Sequence, residues 1–137
     1  MTNPEADNNS FRAVALTASL TVKDLVKSLA WYQDALGFAI DQKHEREGKL
    51  MAISMSAGDV RLLITQDDGA RGWDRSKGDG MSLQLTTHQS IDAIAQRIKE
   101  QGGTLESEPM DMPWGVRAFR VKDPDGFKFV ISSVRPA

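Results

Sequence analysis

Alternating apolar and polar positions open the chain. Val14, Leu16, Ala18, Leu20 and Val22 fall on one side, and Ala15, Thr17, Ser19 and Thr21 on the other, which predicts a strand over residues 13–22. The period then lengthens. Leu25, Leu29, Tyr32 and Leu36 recur at helical spacing, with Trp31 beside the stripe, Asp24 as N-cap and Gly37 at the C-terminal cap. Core packing is the expected role of Trp31 and Tyr32. Alternation returns in three further strands over residues 38–45, 49–57 and 60–66, with turns at Gly48 and at Gly58–Asp59.

The same order then repeats. Met81, Leu83 and Leu85 alternate with Ser82, Gln84 and Thr86. Ser90 caps a helix whose stripe is Ile91, Ile94, Ala95 and Ile98, Asp92 sits in its first turn, and Gly102 and Gly103 end it. A short strand over 104–108 follows, then the loop PMDMPWG. The chain finishes in a hairpin about Asp123-Pro124-Asp125-Gly126, whose residue types suit a type I turn. Arg117, Phe119 and Val121 alternate with Ala118 and Arg120 before it, and Phe127, Phe129 and Ile131 with Lys128, Val130 and Ser132 after it.

The two caps, Asp24 and Ser90, are 66 residues apart, and so are Gly37 and Gly103, which marks a structural repeat with little residue identity. The expected fold is α+β, with two βαβββ modules of mixed sheet at about 12–66 and 80–134 in one domain over 11–137. A polar start, residues 1–10, is expected without order. The linker 67–79, rich in glycine and charge, carries an unexpected Trp73, either a plug against the domain edge or a partner, or a lid over a ligand. Helices cover one face of each sheet and take the apolar sets. The other faces carry Thr17, Ser19, Thr21, Ser82, Gln84, Thr86, Lys128, Val130 and Ser132. Facing each other, they would enclose a half-open small-molecule cleft.

Composition narrows the chemistry. A net charge of −2 over 137 residues argues against nucleic acid or an anionic membrane as partner. There is no cysteine, hence no disulfide or thiolate chemistry. No apolar run reaches the roughly 20 residues of a membrane span, and the first residues lack a signal-peptide pattern, so the cytoplasm is the expected location. No GxSxG and no phosphate-binding GK[ST] occurs. His44, near a turn, and His88, ahead of the second helix, are expected in solvated or capping roles.

The module order, with VKDLVKSLAWYQDALGF at 22–38 and PWGVRAFRVKDPDGFKF at 113–129, resembles the vicinal oxygen chelate superfamily of glyoxalases, bleomycin-resistance proteins and extradiol dioxygenases, over about residues 12–134. In enzymes of that group the resemblance implies a divalent metal held by a His in the first strand, a His or Gln early in the second module and a Glu late in the last strand. These positions fall on Ser19, on Gly80 or Ser82, and on Val130. A hydroxyl and an alkyl side chain do not bind zinc, iron or manganese, so no metal and no cofactor is expected.

The resemblance therefore implies a metal-free binding protein of the bleomycin-resistance type, sequestering a planar or aromatic compound. The alternative is a lyase or dioxygenase of the same group with displaced ligands. A structural protein with a collapsed cleft is a third reading. Family habit and open sheet edges imply a homodimer. The candidate ligand-binding residues are Ser19, Gln84, Met112, Trp114 and Arg117. Trp114 would stack on the compound, Met112 would adapt to it, Arg117 would pair an anionic group beside Asp111, and Ser19 and Gln84 would supply hydrogen bonds deeper in. Alternatively, Trp114 packs under its own loop and Arg117 sits in solvent.

Overall fold

In the computed structural model, which describes residues 9–135, the repeat is present as two four-stranded sheets. The first holds β1 (Ala18–Val22), β2 (Ala39–Arg46), β3 (Lys49–Ala57) and β4 (Val60–Gln66). The second holds β5 (Leu83–Thr87), β6 (Leu105–Asp111), β7 (Arg117–Lys122) and β8 (Lys128–Ser133). Their orders, β1-β4-β3-β2 and β5-β8-β7-β6, are the same order twice, each with one parallel pair and two antiparallel pairs. The expected α+β architecture is the observed one. Of the polar stretch 1–10, residues 1–8 lie outside the described residues.

The first strand is shorter than its pattern. Pairing with β4 begins at Ala18, opposite Leu62. Extending that parallel register backward exhausts β4 at Val60, so residues before about 16 have no strand to join. Val14 and Leu16, expected on the covered face, are exposed, as is Phe11. The strand expected over 104–108 is longer and runs to Asp111, so Met110 and Asp111 leave the loop and join the ladder.

The first helix is capped as expected: the Asp24 side chain accepts from the Lys27 amide at 3.2 Å. It begins as α1 (Leu25–Ala30) and continues as a π-helical turn, Trp31–Ala35. There the Leu36 amide donates to the Trp31 carbonyl at 3.1 Å. The wider turn lets neighbouring Trp31 and Tyr32 both reach the second module, their ring centroids 6.3 and 5.9 Å from that of Phe129. Ser90 caps α2 (Ile91–Glu100) through the Ala93 amide at 3.2 Å.

One core serves both modules. Leu20, Ile53, Ile64 and Tyr32 from the first join Ile98, Phe119, Phe129 and Ile131 from the second. Polar bonds fasten the join. Tyr32 Oη donates to Asp123 Oδ2 at 2.7 Å. Arg97 Nε, on α2, donates to the Asp34 carbonyl at 3.0 Å, placing a cation at the C-terminal end of the first helix, where the dipole favours it. The linker adds Lys77, whose Nζ lies 2.9 Å from Asp67 and 3.0 Å from Asp125, all three side chains buried. Asp125 also accepts from the Lys23 amide at 2.7 Å, so the DPDG turn is tied to the end of β1.

Trp73 lies against its own linker. A Cβ on Gly69 would come within 2.4 Å of the Trp73 ring. The side chain is half exposed and lines none of the three main cavities.

Candidate functional site: the open sheet faces

Because the helices and the apolar faces share one core, the opposite faces of both sheets are open. Cross-strand partners define what those faces carry. On the first sheet Ser19, Leu63, Ser54 and Gln42 form one row. On the second, Gln84, Val130, Arg120 and Ser107 form the corresponding row. The parallel pairs match, so Ser19 with Leu63 is the counterpart of Gln84 with Val130. Ser19 and Gln84 are both exposed, on the open faces of different sheets, and none of the three main cavities among the described residues contains both. The two modules share their core through their helix-covered faces.

A concave site of about 460 Å³ occupies the open face of the second sheet. Met81, Ser82, Gln84, Arg120, Lys128 and Val130 line it, with Glu106 at one side. Its wall mixes an amide, a hydroxyl and charges with the alkyl surface of Val130 and Met81. A groove of about 480 Å³ opens at the seam of the modules, where Leu36, Phe38, Val60, Leu85, Ile94 and Ile131 give apolar walls and His88 stands at its edge.

The loop residues stand at the other end of the second sheet. The row of Gln84 lies three residues from the row joining Arg117, Ser133 and Thr87, about 10 Å along the strand. Trp114 is 59% exposed, at the tip of a turn closed by the Met112 amide on the Val116 carbonyl at 2.7 Å. It does not pack under its loop. Met112 is half-buried at the base of that turn. Arg117 donates to both carboxylate oxygens of Asp92 at 2.8 and 2.9 Å and to Asp111 at 3.1 Å. Its bond holds the Asp92 carboxyl below the ordinary carboxylate range, and the two acids raise the guanidinium in turn. The fork that could grip an anion is already engaged.

The donor set does not fit a family metal. By register the second ligand position falls on Gln84 rather than Gly80 or Ser82, so one residue is of a type the group uses. The hydroxyl of Ser19 and the alkyl chains of Leu63 and Val130, however, supply no imidazole or carboxylate to complete a zinc or iron site. His44 lies exposed on the open face of the first sheet, its Nε2 3.2 Å from Ser54 Oγ. Among the described residues, no three of His, Cys, Asp and Glu converge.

A family model, the Glyoxalase/Bleomycin resistance protein/Dioxygenase superfamily, matches residues 14–131. The chain belongs to this superfamily. Solved structures agree on the fold. One is a superfamily member from Sphaerobacter thermophilus, 25% identical, with TM-score 0.72 over 90% of this chain and 98% of that one. TnmS3, an antibiotic-binding protein from Streptomyces, is 22% identical, with TM-score 0.69 over 90% and 98%. A lactoylglutathione lyase from Agrobacterium tumefaciens is 15% identical, with TM-score 0.62 over 89% and 94%. The same fold thus carries binding proteins and enzymes. A search of curated proteins finds none that matches. No helix of the described residues is long and apolar enough to cross a membrane.

Arg120, Glu106 and Leu63 were passed over in the sequence, and Met81 was set with the apolar, helix-covered face. Alternation had already set Arg120 opposite Phe119 and Val121. Only the register shows that it stands beside Val130 and Gln84.

Proposed function

We propose that this superfamily member binds and sequesters a small planar or aromatic compound on the open face of its second sheet, without a metal. The observation that carries the reading is the row Ser19–Leu63 and its counterpart Gln84–Val130. Of these positions only Gln84 carries a donor that the metal enzymes of the group use, while Ser19, Leu63 and Val130 carry a hydroxyl and alkyl groups where imidazole or carboxylate is needed. The antibiotic-binding relative of the same fold supports binding as an activity the scaffold can host. The second sheet supplies Gln84 and Val130, and a homodimer supplies the facing wall, with Ser19, from a second copy. Trp114 and Met112 stand at the rim, in reach of a ligand long enough to run along the strands.

Two measurements test this. Elemental analysis of purified protein is expected to find no stoichiometric divalent metal, and stoichiometric zinc, nickel, iron or manganese retained through dialysis would overturn the metal-free reading. Intrinsic fluorescence titration with a panel of aromatic compounds is expected to yield a saturable ligand. Val130→Glu, which places a charge in the wall, should abolish that binding at unchanged stability. Trp114→Ala should weaken binding only of compounds long enough to reach the loop. A ligand whose affinity survives Val130→Glu binds elsewhere.

A further inference from the structure

The open face of the second sheet is rich in cations that the protein itself does not neutralise. Arg120 and Lys128 both line the 460 Å³ site. Arg120 uses its backbone amide on Ser107 Oγ at 3.1 Å, and its guanidinium has no carboxylate within salt-bridge distance among the described residues. Lys128 has none either. The site's one carboxylate, Glu106, is turned to Lys122 at 3.5 Å. Lys122 in turn is the direct cross-strand partner of Lys128, and Arg120 the partner of Val130 two positions along. Like charges directly opposite each other on a sheet are destabilising. Three cations against one carboxylate, on two neighbouring strands around a concavity, leave an excess of positive charge that a bound anion would relieve.

The contrast with Arg117 sharpens the point. That side chain is the obvious anion receptor in the sequence, yet it is committed to Asp92 and Asp111. Arg120 is its uncommitted counterpart on the same strand, and it stands in the row of Gln84 and Val130. Its planar fork suits a carboxylate or sulfonate, and Lys128 adds a mobile point charge diagonally across, about 7–8 Å away along the ladder. The chain's overall net charge of −2 makes this local excess a property of the site and not of the whole surface.

We infer that the ligand of this site is an organic anion: an aromatic body lying on Val130 and Met81, with a negatively charged group held by Arg120 and Lys128. This rests on the open-face reading above and adds the charge of the ligand to it.

A matched pair of fluorescent probes tests it. 1-Anilinonaphthalene-8-sulfonate and N-phenyl-1-naphthylamine share one aromatic frame and differ by the sulfonate. The wild-type protein is expected to bind the sulfonate about tenfold or more tightly than the neutral probe, as a charge-assisted contact implies. Arg120→Gln with Lys128→Gln should erase that preference, the ratio of the two dissociation constants falling to about one, since without the cations the sulfonate has no ion-pair partner. Added salt should weaken the sulfonate alone. Both residues are exposed, so the double variant is expected to fold as the wild type does, checked by circular dichroism. Equal affinity for the two probes, or a preference that survives the double substitution, overturns the anion inference while leaving the open-face site standing. If Val130→Glu leaves binding of both probes intact, the open-face reading and the anion inference fall together.

Discussion

Tyr32 Oη and Asp123 show how a local signal and a distant one meet at one atom pair. The turn role of Asp123 was legible, because an Asp opening DPDG can bond the turn's own amides. It does so, with Oδ1 accepting from Asp125 at 2.9 Å and from Phe127 at 2.8 Å. The second oxygen takes the Tyr32 hydroxyl, 91 residues away in sequence, and no spacing rule predicts that contact. Burial pushes the Asp123 carboxyl above its ordinary range, against the pull of these three bonds. Burial likewise raises the Tyr32 phenol, aided by the adjacent carboxylate. Tyr32→Phe keeps the ring in the core and removes only the donor. It is expected to cost about 1–3 kcal/mol, because a buried carboxylate oxygen loses its partner. Thermal unfolding should show a Tm lowered by several degrees with circular dichroism unchanged. An unaltered Tm would mean the hydroxyl contributes nothing to joining the modules.

At the scale of elements, the strands bounded by turns on both sides were legible in full. β3 and β4 begin and end where Gly48 and the Gly58–Asp59 turn place them, since both glycines adopt the left-handed conformation such turns require. β1 was overextended, because alternation in one segment carries no information on where its partner strand stops. The π turn was hidden for a related reason. Its wider winding serves the packing of Trp31 and Tyr32 on Phe129, a contact between modules. The linker was legible as a loop, but its fixed structure was not, since it depends on charges brought together from three places. Asp67 accepts from the Gly69 amide at 3.0 Å and pairs with the buried Lys77, which depresses its carboxyl to about 2 from 3.8. A depressed carboxylate contributes stability that is present above the unfolded value and lost as pH falls through the folded one. Asp67→Asn should therefore be less stable than the wild type at neutral pH. The difference should shrink between about pH 4 and pH 2, followed by denaturant unfolding across that range. A constant difference over that window would mean that charge plays no part in the linker's hold.

For the whole molecule, the repeat fixed the number of modules and their strand order but not which faces meet. Both faces of each sheet were legible as sets of residues. That the helix-covered sets join within one chain, leaving Ser19 and Gln84 on open faces, follows from contacts such as Tyr32 with Phe129 that alternation cannot encode. The same arrangement leaves surfaces that a single chain does not cover. Phe11, Val14 and Leu16 are 92%, 105% and 92% exposed on the segment leading into β1. The apolar seam groove and the open sheet faces are likewise uncovered. Apolar side chains so exposed and so close together in sequence are unusual for a monomer. A second copy, related by a twofold axis, would cover them and bring the first sheet's open face to the second sheet's. The expected state is a homodimer by light scattering at micromolar concentration. Val14→Asp with Leu16→Asp should shift it toward monomer, because charge in a buried apolar contact is costly, while the core, which contains neither residue, stays folded. Ligand affinity should fall with dimer content if the facing wall comes from the second copy. A wild-type monomer that binds its ligand at full affinity would show instead that the open face of one sheet is sufficient.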